Sequence, residues 1–500
     1  MFDRAAAKRD WLGQPRADIL AGIVVALALI PEAIGFSIIA GVDPSVGLYA
    51  SVAIAMIIAF TGGRPGMISA ATAAVAVVVI PLVRDHGVEY LFAATILMGI
   101  IQGIAALLRL DLLMQFVSRS VITGFVNALA ILIFMAQLPQ LDPRADGVSW
   151  ITYAMVLGGL AVIYLLPRIT KAVPSPLVAI LILSAIAIGF GVPVNTVGDM
   201  GALPDGLPGL HWPDVPLTMA TFWIILPFSL TMAAVGLLES LLTAQIVDDL
   251  THTDSNKQRE TAGQGVANIV AAMFGGMGGC AMIGQSVINY TSGGRGRLSS
   301  FVAGATLLFL LAVLGPLVGS IPMPALVAVM IMVSIGTFSW NSIANLRRHP
   351  PASSLVMLAT VVTVVWTHDL AIGVLVGVLL SGMFFTDKVR NMFKVERIRR
   401  PHSAVYTVTG QIFYASVDRF VRALGPESEY DDAAHHVVID VSKAHFWDIS
   451  AIGALDKAVD RMRRNGRHVR VVGINSASAD LVDRFALEDR MGLETGLAPH

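Results

Sequence analysis

Long apolar runs alternate with short polar or Pro- and Gly-rich breaks over residues 18–386. A bilayer core of about 30 Å takes roughly 20 helical residues, so the runs indicate fourteen membrane-spanning segments. They lie near residues 18–38, 46–61, 67–82, 90–108, 120–139, 150–168, 176–190, 219–247, 262–278, 281–291, 299–319, 324–339, 352–367 and 370–386. Because the runs are continuous rather than alternating, they predict an all-α polytopic membrane domain and not a β-barrel.

The distribution of Lys and Arg supports an even number of spans. With fourteen spans both termini share one side, and 21 Lys and Arg residues of the first 400 fall on that side against two on the other. The loop at 191–218 contains neither residue type. Cationic loops stay in the cytoplasm, so we expect a multi-pass protein of the cell inner (plasma) membrane with both termini cytoplasmic.

The same loop divides the spans into seven plus seven. An odd number of spans in each half gives the halves opposite topologies, which is the 7+7 inverted repeat of secondary transporters. The predicted boundaries are a cytoplasmic N-tail (1–17), a transport domain (18–386, with repeats 18–190 and 219–386), a basic linker (387–403) and a soluble domain (404–500).

Composition agrees with this division. The chain is 55% hydrophobic and 14% charged, with a mean hydropathy of +0.73. Residues 1–400 hold 44 charged residues and residues 401–500 hold 25, so only the tail has the charge density of a soluble domain. The net charge of −1 gives no field for nucleic acid, and a single cysteine, Cys280, excludes a disulfide framework or a Cys-ligated metal site. No metal or organic cofactor is predicted.

Two acidic residues lie within the apolar runs, Glu32 in segment 1 and Glu239 in segment 8. These segments correspond in the two repeats. An ionisable group deep in a bilayer is costly and faces a cavity or a partner. The pair suggests coupling carboxylates for protons or another cation, and the alternative is a structural hydrogen bond that braces the helices.

The third segment of each repeat is interrupted by glycines, in GGRPG before residues 67–82 and in GGMGG before residues 281–291. Short Gly- or Pro-interrupted spans at matching positions point to a substrate site. A half-helix that begins within the membrane directs its free N–H groups and positive dipole end into the cavity, so two such ends could hold an anion without a fixed cation. Packing surfaces of small residues are the alternative.

Particular motifs resemble those of one family. PEAIGFS (31–37), GVDP (41–44) and GLYAS (47–51) resemble the first-span signature of the sulfate permease (SulP) family, also called solute carrier family 26. GLLESLLTA (236–244) is similar to its eighth span, and residues 280–292 resemble its tenth.

The resemblance implies a core domain (spans 1–4 and 8–11) that moves against a gate domain (spans 5–7 and 12–14). It also implies a small anion bound between the starts of spans 3 and 10, transported by exchange or symport. The substrate-facing candidates carried over are Glu32, Phe36, Ala71, Thr72, Gly284, Gln285 and Ser286.

The chain departs from the family pattern where Ser69-Ala70 replaces a common Gly-Pro and Gln285 stands where many animal members have Arg. Losing that cation beside Glu32 favours a substrate that enters with protons, since protonation of Glu32 removes like-charge repulsion. The small Ala71 leaves room for a succinate- or fumarate-like dicarboxylate. Gln285 serves a carboxylate and a sulfate equally, and a carboxylate serves H⁺ or Na⁺.

The tail alternates predicted strands (404–416, 436–442 and 468–473) with predicted helices (451–464 and 477–487), which indicates a small α/β domain. DISAIG (448–453) resembles the phosphoacceptor turn of STAS domains, with Ser450 at the modified position. The plainer interpretation is that Asp448 or Ser450 caps a helix. The tail could also mediate homodimer contacts or bind a cytoplasmic partner.

The sequence therefore predicts a proton-coupled symporter of a dicarboxylate or related anion that works by alternating access, with Glu32 as the coupling acid and Glu239 sharing or bracing that role. Sulfate or bicarbonate transport coupled to H⁺ or Na⁺, and an uncoupled exchanger or channel, are the alternatives. An enzyme is not expected, because the spans lack His apart from His368 at a predicted turn. Fourteen spans are also more than a membrane anchor for the tail requires.

Overall fold

Each predicted apolar segment falls on a helix. The computed structural model describes residues 4–110, 112, 117–144, 148–170, 174–201, 209–400, 403–424, 436–475 and 478–479. In the N-tail and first repeat the elements are α1 (Arg4–Leu12), α2 (Pro15–Ala40), α3 (Pro44–Thr61), β1 (Ser69–Ala71), α4 (Ala73–His86), α5 (Val88–Leu107), α6 (Arg119–Met135), α7 (Trp150–Leu165) and α8 (Ser175–Phe190). In the second they are α9 (Met219–Thr251), α10 (Lys257–Met273), β2 (Gly279–Ala281), α11 (Ile283–Thr291), α12 (Arg297–Gly319), α13 (Met323–Thr337), α14 (Trp340–Asn345), α15 (Pro351–Thr367) and α16 (Leu370–Arg390).

Several of these helices suit a bilayer. Among the described residues, eight helical stretches are long and apolar enough to cross a membrane, and three shorter apolar helices accompany them. The protein is thus a multi-pass helical membrane protein. The count of fourteen spans stays a prediction, because some helices are shorter than the bilayer core requires.

The helices of the two repeats intermix in two groups. In one group α12 packs on α2 and α3, and α10 packs on α3 and α5. In the other, α15 packs on α6, while α13 packs on α6 and α7. The first group contains spans 1–4 and 8–11 and the second contains helices of spans 5–7 and 12–14, which is the grouping expected for a core and a gate.

Two helices begin later than the sequence pattern indicates. Segment 3 is expected from residue 67, but α4 begins at Ala73; segment 10 is expected from residue 281, but α11 begins at Ile283. In both cases the preceding residues are extended and form a strand. Strands of three residues are too short to produce a readable alternation.

A buried arginine ties the segment before β1 to the second repeat. Arg64 is 8% exposed, and its Nη1 donates to Thr253 Oγ1 at 2.9 Å and lies 3.2 Å from Asp248 Oδ1. The guanidinium also donates to Thr251 Oγ1 and to the Val247 carbonyl. The end of α9 is therefore fixed to the loop that leads into β1.

Replacing Arg64 by Gln is expected to destabilise the protein by about 3 kcal/mol, because it leaves the Asp248 carboxylate without its cation in a largely buried site. The matched control is Arg84→Gln, since Arg84 is exposed and its ion pair is with the neighbouring Asp85. Thermal unfolding of the detergent-solubilised protein measures both. Equal melting temperatures for the two variants would contradict the role assigned to Arg64.

The described residues divide into two compact units at residues 378 and 379. The second unit contains β3 (Phe393–Arg400), β4 (Ser403–Ile412), α17 (Val417–Ala423), β5 (His436–Phe446), α18 (Ile449–Arg464) and β6 (His468–Val472). Its sheet has the order β3-β4-β5-β6, with β3 antiparallel to β4 and the other two pairings parallel. Alternate residues of β4 and the apolar face of α18 form its core, with Tyr406, Phe420 and Phe446 as the largest buried side chains.

The stretch predicted as a linker has regular structure. Residues 387–390 continue α16, and residues 393–400 form β3. Phe393 and Val395 pack against the core of the domain, while Lys394 and Glu396 on the opposite face are exposed. This alternation is obscured in the sequence, because Arg397 occupies an inward position and Ile398 an exposed one. The helix predicted at 477–487 lies outside the described residues except for 478 and 479.

Candidate functional site

The strands β1 and β2 form a buried two-stranded sheet in the first unit and so join the two repeats. This paired segment, residues 69–71 with 279–281, is called the crossing. They pair antiparallel with Ala70 opposite Cys280, and all six residues are buried. A Cβ atom on Gly279 would lie 2.0 Å from the Ala70 carbonyl oxygen, so only glycine permits this approach. Side chains satisfy the outward backbone groups, as when Ser240 Oγ accepts from the Ala281 N–H at 3.0 Å. Backbone at this depth must be paired, and the crossing achieves this within protein.

Each strand runs directly into a helix whose first turn is uncapped. Thr72 precedes α4 and Met282 precedes α11, and neither side chain accepts a hydrogen bond from its helix. The first N–H groups of a helix have no intrahelical partner, and the dipole places partial positive charge there. The crossing therefore presents two helix N-termini, one from each repeat.

A cavity of about 770 Å³ lies against both helix starts. Its wall combines core and gate helices, with Glu32 and Phe36 from α2, Glu239 from α9, and Phe125 and Val333 from α6 and α13. The helix starts contribute Thr72, Ala73, Met282, Ile283, Gly284 and Gln285. Among the described residues of the wall there is no Lys, Arg or His, so charge comes only from the two glutamates. Within this described wall, the helix N-termini are the groups that supply a fixed positive potential.

Glu32 is joined to the start of α11. The amide nitrogen of Gln285 donates to Glu32 Oε1 at 2.9 Å, and Gln285 itself is 1% exposed. The other amide atom, Oε1, is buried and has no hydrogen-bond partner among the described residues. The side chain of Gln285 thus connects Glu32, the candidate coupling residue, to the start of α11.

Glu239 is joined to the crossing by a different group. The Cys280 thiol donates to Glu239 Oε2 at 3.0 Å, and Thr72 Oγ1 lies 3.2 Å from the same sulfur. Thr72 belongs to the first repeat and Glu239 to the second. The thiol therefore links the start of α4 to the second cavity carboxylate.

Five of the seven substrate-facing residues expected from the sequence meet at the cavity: Glu32, Phe36, Thr72, Gly284 and Gln285. A Cβ atom on Gly284 would meet nothing within 4 Å, so this glycine borders open space. Ala71 and Ser286 are buried beside the cavity and are not part of its wall. Ala71 pairs with Gly279, and Ser286 Oγ accepts from the Ile68 N–H at 3.0 Å, so both hold the crossing together.

Sequence reasoning missed the role of Cys280 and the gate side of the wall. Cys280 is fully buried and not part of the wall, but it contacts the wall residues Glu239 and Thr72. Its place directly after the GGMGG glycines was the available signal. The apolar gate face, with Phe125, Leu129, Ile133, Val329 and Val333, gave no signal, because apolar residues in a membrane helix contact lipid and cavity alike.

In the second unit Asp448 caps α18. Its Oδ1 accepts from the Ala451 N–H at 2.9 Å, and its Oδ2 accepts from the Tyr414 N–H at 2.7 Å. Ser450 is exposed and borders a groove between α17 and α18 that also includes Arg422, Lys457 and Arg461. The capping interpretation of Asp448 accounts for its contacts, and phosphorylation of Ser450 stays a prediction.

Comparison with known proteins adds the family. The sulfate permease family profile matches residues 16–142 and 143–360, and the STAS domain profile matches residues 394–498. The putative sulfate transporter YbaR of Bacillus subtilis is 58% identical over 479 residues, which are 96% of this chain and 98% of that protein.

Solved structures agree. The transmembrane domain of the bicarbonate transporter BicA from a cyanobacterium matches with a TM-score of 0.65 and 25% identity, over 73% of this chain and 97% of that one. The murine anion transporter Slc26a9 matches with a TM-score of 0.80 over 97% of this chain and 90% of that one; at 16% identity this likeness shows the fold.

The family match defines the class of protein, since the members of this family are membrane transporters and not enzymes. The chain belongs to the sulfate permease family of anion transporters, also called solute carrier family 26, and ends in a STAS domain.

Proposed function

We propose that this protein is a secondary active transporter that imports an anion together with protons. The observation that carries the proposal is the composition of the cavity wall: two glutamates, two helix N-termini and no basic side chain among the described residues. An anion beside two carboxylates is repelled unless a cation or proton arrives with it. An uncoupled pore has no use for such carboxylates.

In this proposal the anion binds between the starts of α4 and α11. Their free N–H groups and dipoles supply the positive potential, and Thr72 and Gln285 supply side-chain hydrogen bonds. Glu32 carries the coupled proton. Glu239 shares that role or, through Cys280, braces the crossing.

For the substrate we propose a dicarboxylate of the fumarate or succinate kind. The cavity is roomy, and its gate side is apolar, which suits a carbon skeleton more than a small, strongly hydrated inorganic ion. The names of relatives favour another answer, since YbaR is called a putative sulfate transporter and BicA a bicarbonate transporter. Sulfate and bicarbonate are therefore the second candidates, with H⁺ or Na⁺ as the coupled ion.

Transport would proceed by alternating access. The two helix starts are joined through β1 and β2, so the site would move with the core group as a rigid body against α6, α13 and α15. The excess of Lys and Arg on one side supports cytoplasmic termini in the cell inner membrane. We also propose that the protein forms a homodimer and that the STAS domain binds a cytoplasmic partner. No residue is assigned to either contact.

The test is uptake into proteoliposomes of labelled fumarate, succinate, sulfate and bicarbonate. Each anion is measured with an inward proton gradient, with an inward Na⁺ gradient and with neither. We expect accumulation of a dicarboxylate that requires the proton gradient and is indifferent to Na⁺. Accumulation driven by Na⁺ alone would reject the proton, and flux that no gradient can drive uphill would replace symport by exchange or a channel.

A further inference from the structure

One end of the Gln285 side-chain amide forms a hydrogen bond and the other end does not, among the described residues. Gln285 belongs to the cavity wall, and its nitrogen donates to Glu32. Its oxygen is buried and has no hydrogen-bond partner among the described residues. Buried polar atoms are almost always paired, and an exception calls for a reason. The unpaired atom of this wall residue is an acceptor, which is the wrong polarity for an anion.

The orientation of the amide depends on the proton at Glu32. A deprotonated carboxylate is acceptor-only, so it must face the NH₂ end of Gln285. A protonated carboxyl can donate its O–H to the amide oxygen instead. A turn of the amide about its last side-chain bond exchanges the two ends, because that torsion is roughly two-fold.

We propose that Gln285 is the residue that converts protonation of Glu32 into anion binding, by turning its amide. With Glu32 deprotonated, the amide presents oxygen at its unpaired end and opposes an anion. With Glu32 protonated, the amide oxygen accepts from the Glu32 carboxyl, and the NH₂ end takes the unpaired position and donates to the anion. The inference rests on the proposed function, since it supplies the link between the two substrates of a symporter.

Glu32 is the titratable group that contacts Gln285, and the titratable groups nearby have other partners or lie at a distance. Glu239 is the other carboxylate of the wall, and it binds the Cys280 thiol. The elements packed on α2 carry few titratable side chains, and these have other partners or lie at the far ends of their helices. Tyr290 of α11 donates to the Leu250 carbonyl, and Arg297 of α12 pairs with Asp10. The others are Tyr49 of α3, and Arg84, Asp85 and His86 at the end of α4. Helices α8 and α13 have none.

The turning amide makes a prediction that simple charge repulsion does not. In Glu32→Gln the new amide stays neutral and can donate to Gln285 Oε1, which a carboxylate cannot do, so the anion site can adopt its binding form at every pH. If Gln285 transmits the effect, the gain in affinity needs Gln285. If Glu32 acts only by its charge, the gain is the same without Gln285.

The experiment is a double-mutant cycle on the full chain in detergent. Binding of radiolabelled succinate and radiolabelled sulfate is measured at alkaline pH for the wild type, Glu32→Gln, Gln285→Met and the double variant. Methionine matches the length of glutamine without its amide, and thermal unfolding verifies that each variant is folded. Gln285→Leu replaces Gln285→Met if the latter is not.

We expect Glu32→Gln to bind the transported anion about tenfold more tightly than the wild type, a coupling of the usual allosteric size. In the Gln285→Met background the same substitution should change affinity by less than about twofold. An equal gain in both backgrounds would overturn the turning amide and leave proton coupling in place. If the wild-type affinity does not change with pH and Glu32→Gln binds the anion as the wild type does, the proposed proton coupling is rejected, and the inference with it.

Discussion

Glu32→Gln is expected to abolish accumulation of the anion driven by an inward proton gradient. The substitution keeps the size of the side chain and a hydrogen bond to Gln285, so the cavity stays intact. It removes the group that gives up the proton on the inner side. A transporter without that step can equilibrate its substrate but cannot concentrate it.

Two proteoliposome measurements separate these properties. Gradient-driven accumulation should fall to the level of passive equilibration, while exchange of labelled for unlabelled anion at equal pH should persist. The matched control is Glu89→Gln, since Glu89 lies away from the cavity and binds His211 Nε2 at 2.9 Å and the Asp214 N–H at 2.8 Å. Normal accumulation by Glu32→Gln would remove Glu32 from the coupling step.

Gly279→Ala is the second substitution for which we expect a large effect. A Cβ atom there would overlap the Ala70 carbonyl oxygen at 2.0 Å, which is backbone and cannot turn aside. Either the two strands separate or the helix starts shift. Overpacking of this kind costs about 3 kcal/mol, and a shift of the helix starts should remove most anion binding.

Gly103→Ala provides the comparison. Gly103 lies in α5, where a Cβ atom would meet nothing within 4 Å, so alanine should stabilise the helix by about 1 kcal/mol. Melting temperature and anion uptake are measured for both variants. A Gly279→Ala protein that melts and transports like Gly103→Ala would show that β1 and β2 tolerate separation, and the crossing would lose its assigned role.

Most of the helical fold can be predicted from the sequence, because each span is a long apolar run bounded by polar or Pro- and Gly-rich residues. The strands β1 and β2 cannot be predicted in this way. Residues 69–71 (SAA) and 279–281 (GCA) are short stretches of small side chains that follow glycine-rich loops, and nothing local distinguishes them from the start of a helix. Their extended form results from pairing with each other, which is a tertiary effect.

The charged residues of the site could be predicted and its apolar gate side could not. Glu32 and Glu239 stand out because carboxylates are rare in apolar runs, and Gly284 and Gln285 are carried over from the family resemblance. Phe125 and Val333 are unremarkable in membrane helices until the structure places them at the cavity. Ser286 has the chemistry of a ligand-binding residue, but its hydroxyl binds Ile68.

Synthesis of the protein is constrained by the crossing of β1 and β2. Thr72 and Cys280, which meet there, are 208 positions apart, so the ribosome delivers the first repeat to the membrane long before its partner strand exists. Until then the edge of β1 has no backbone partner from the second repeat, and unpaired peptide groups are costly in lipid. The substrate site is consequently among the last parts to form, and a chain that stalls within the second repeat leaves an open edge for membrane quality control to detect.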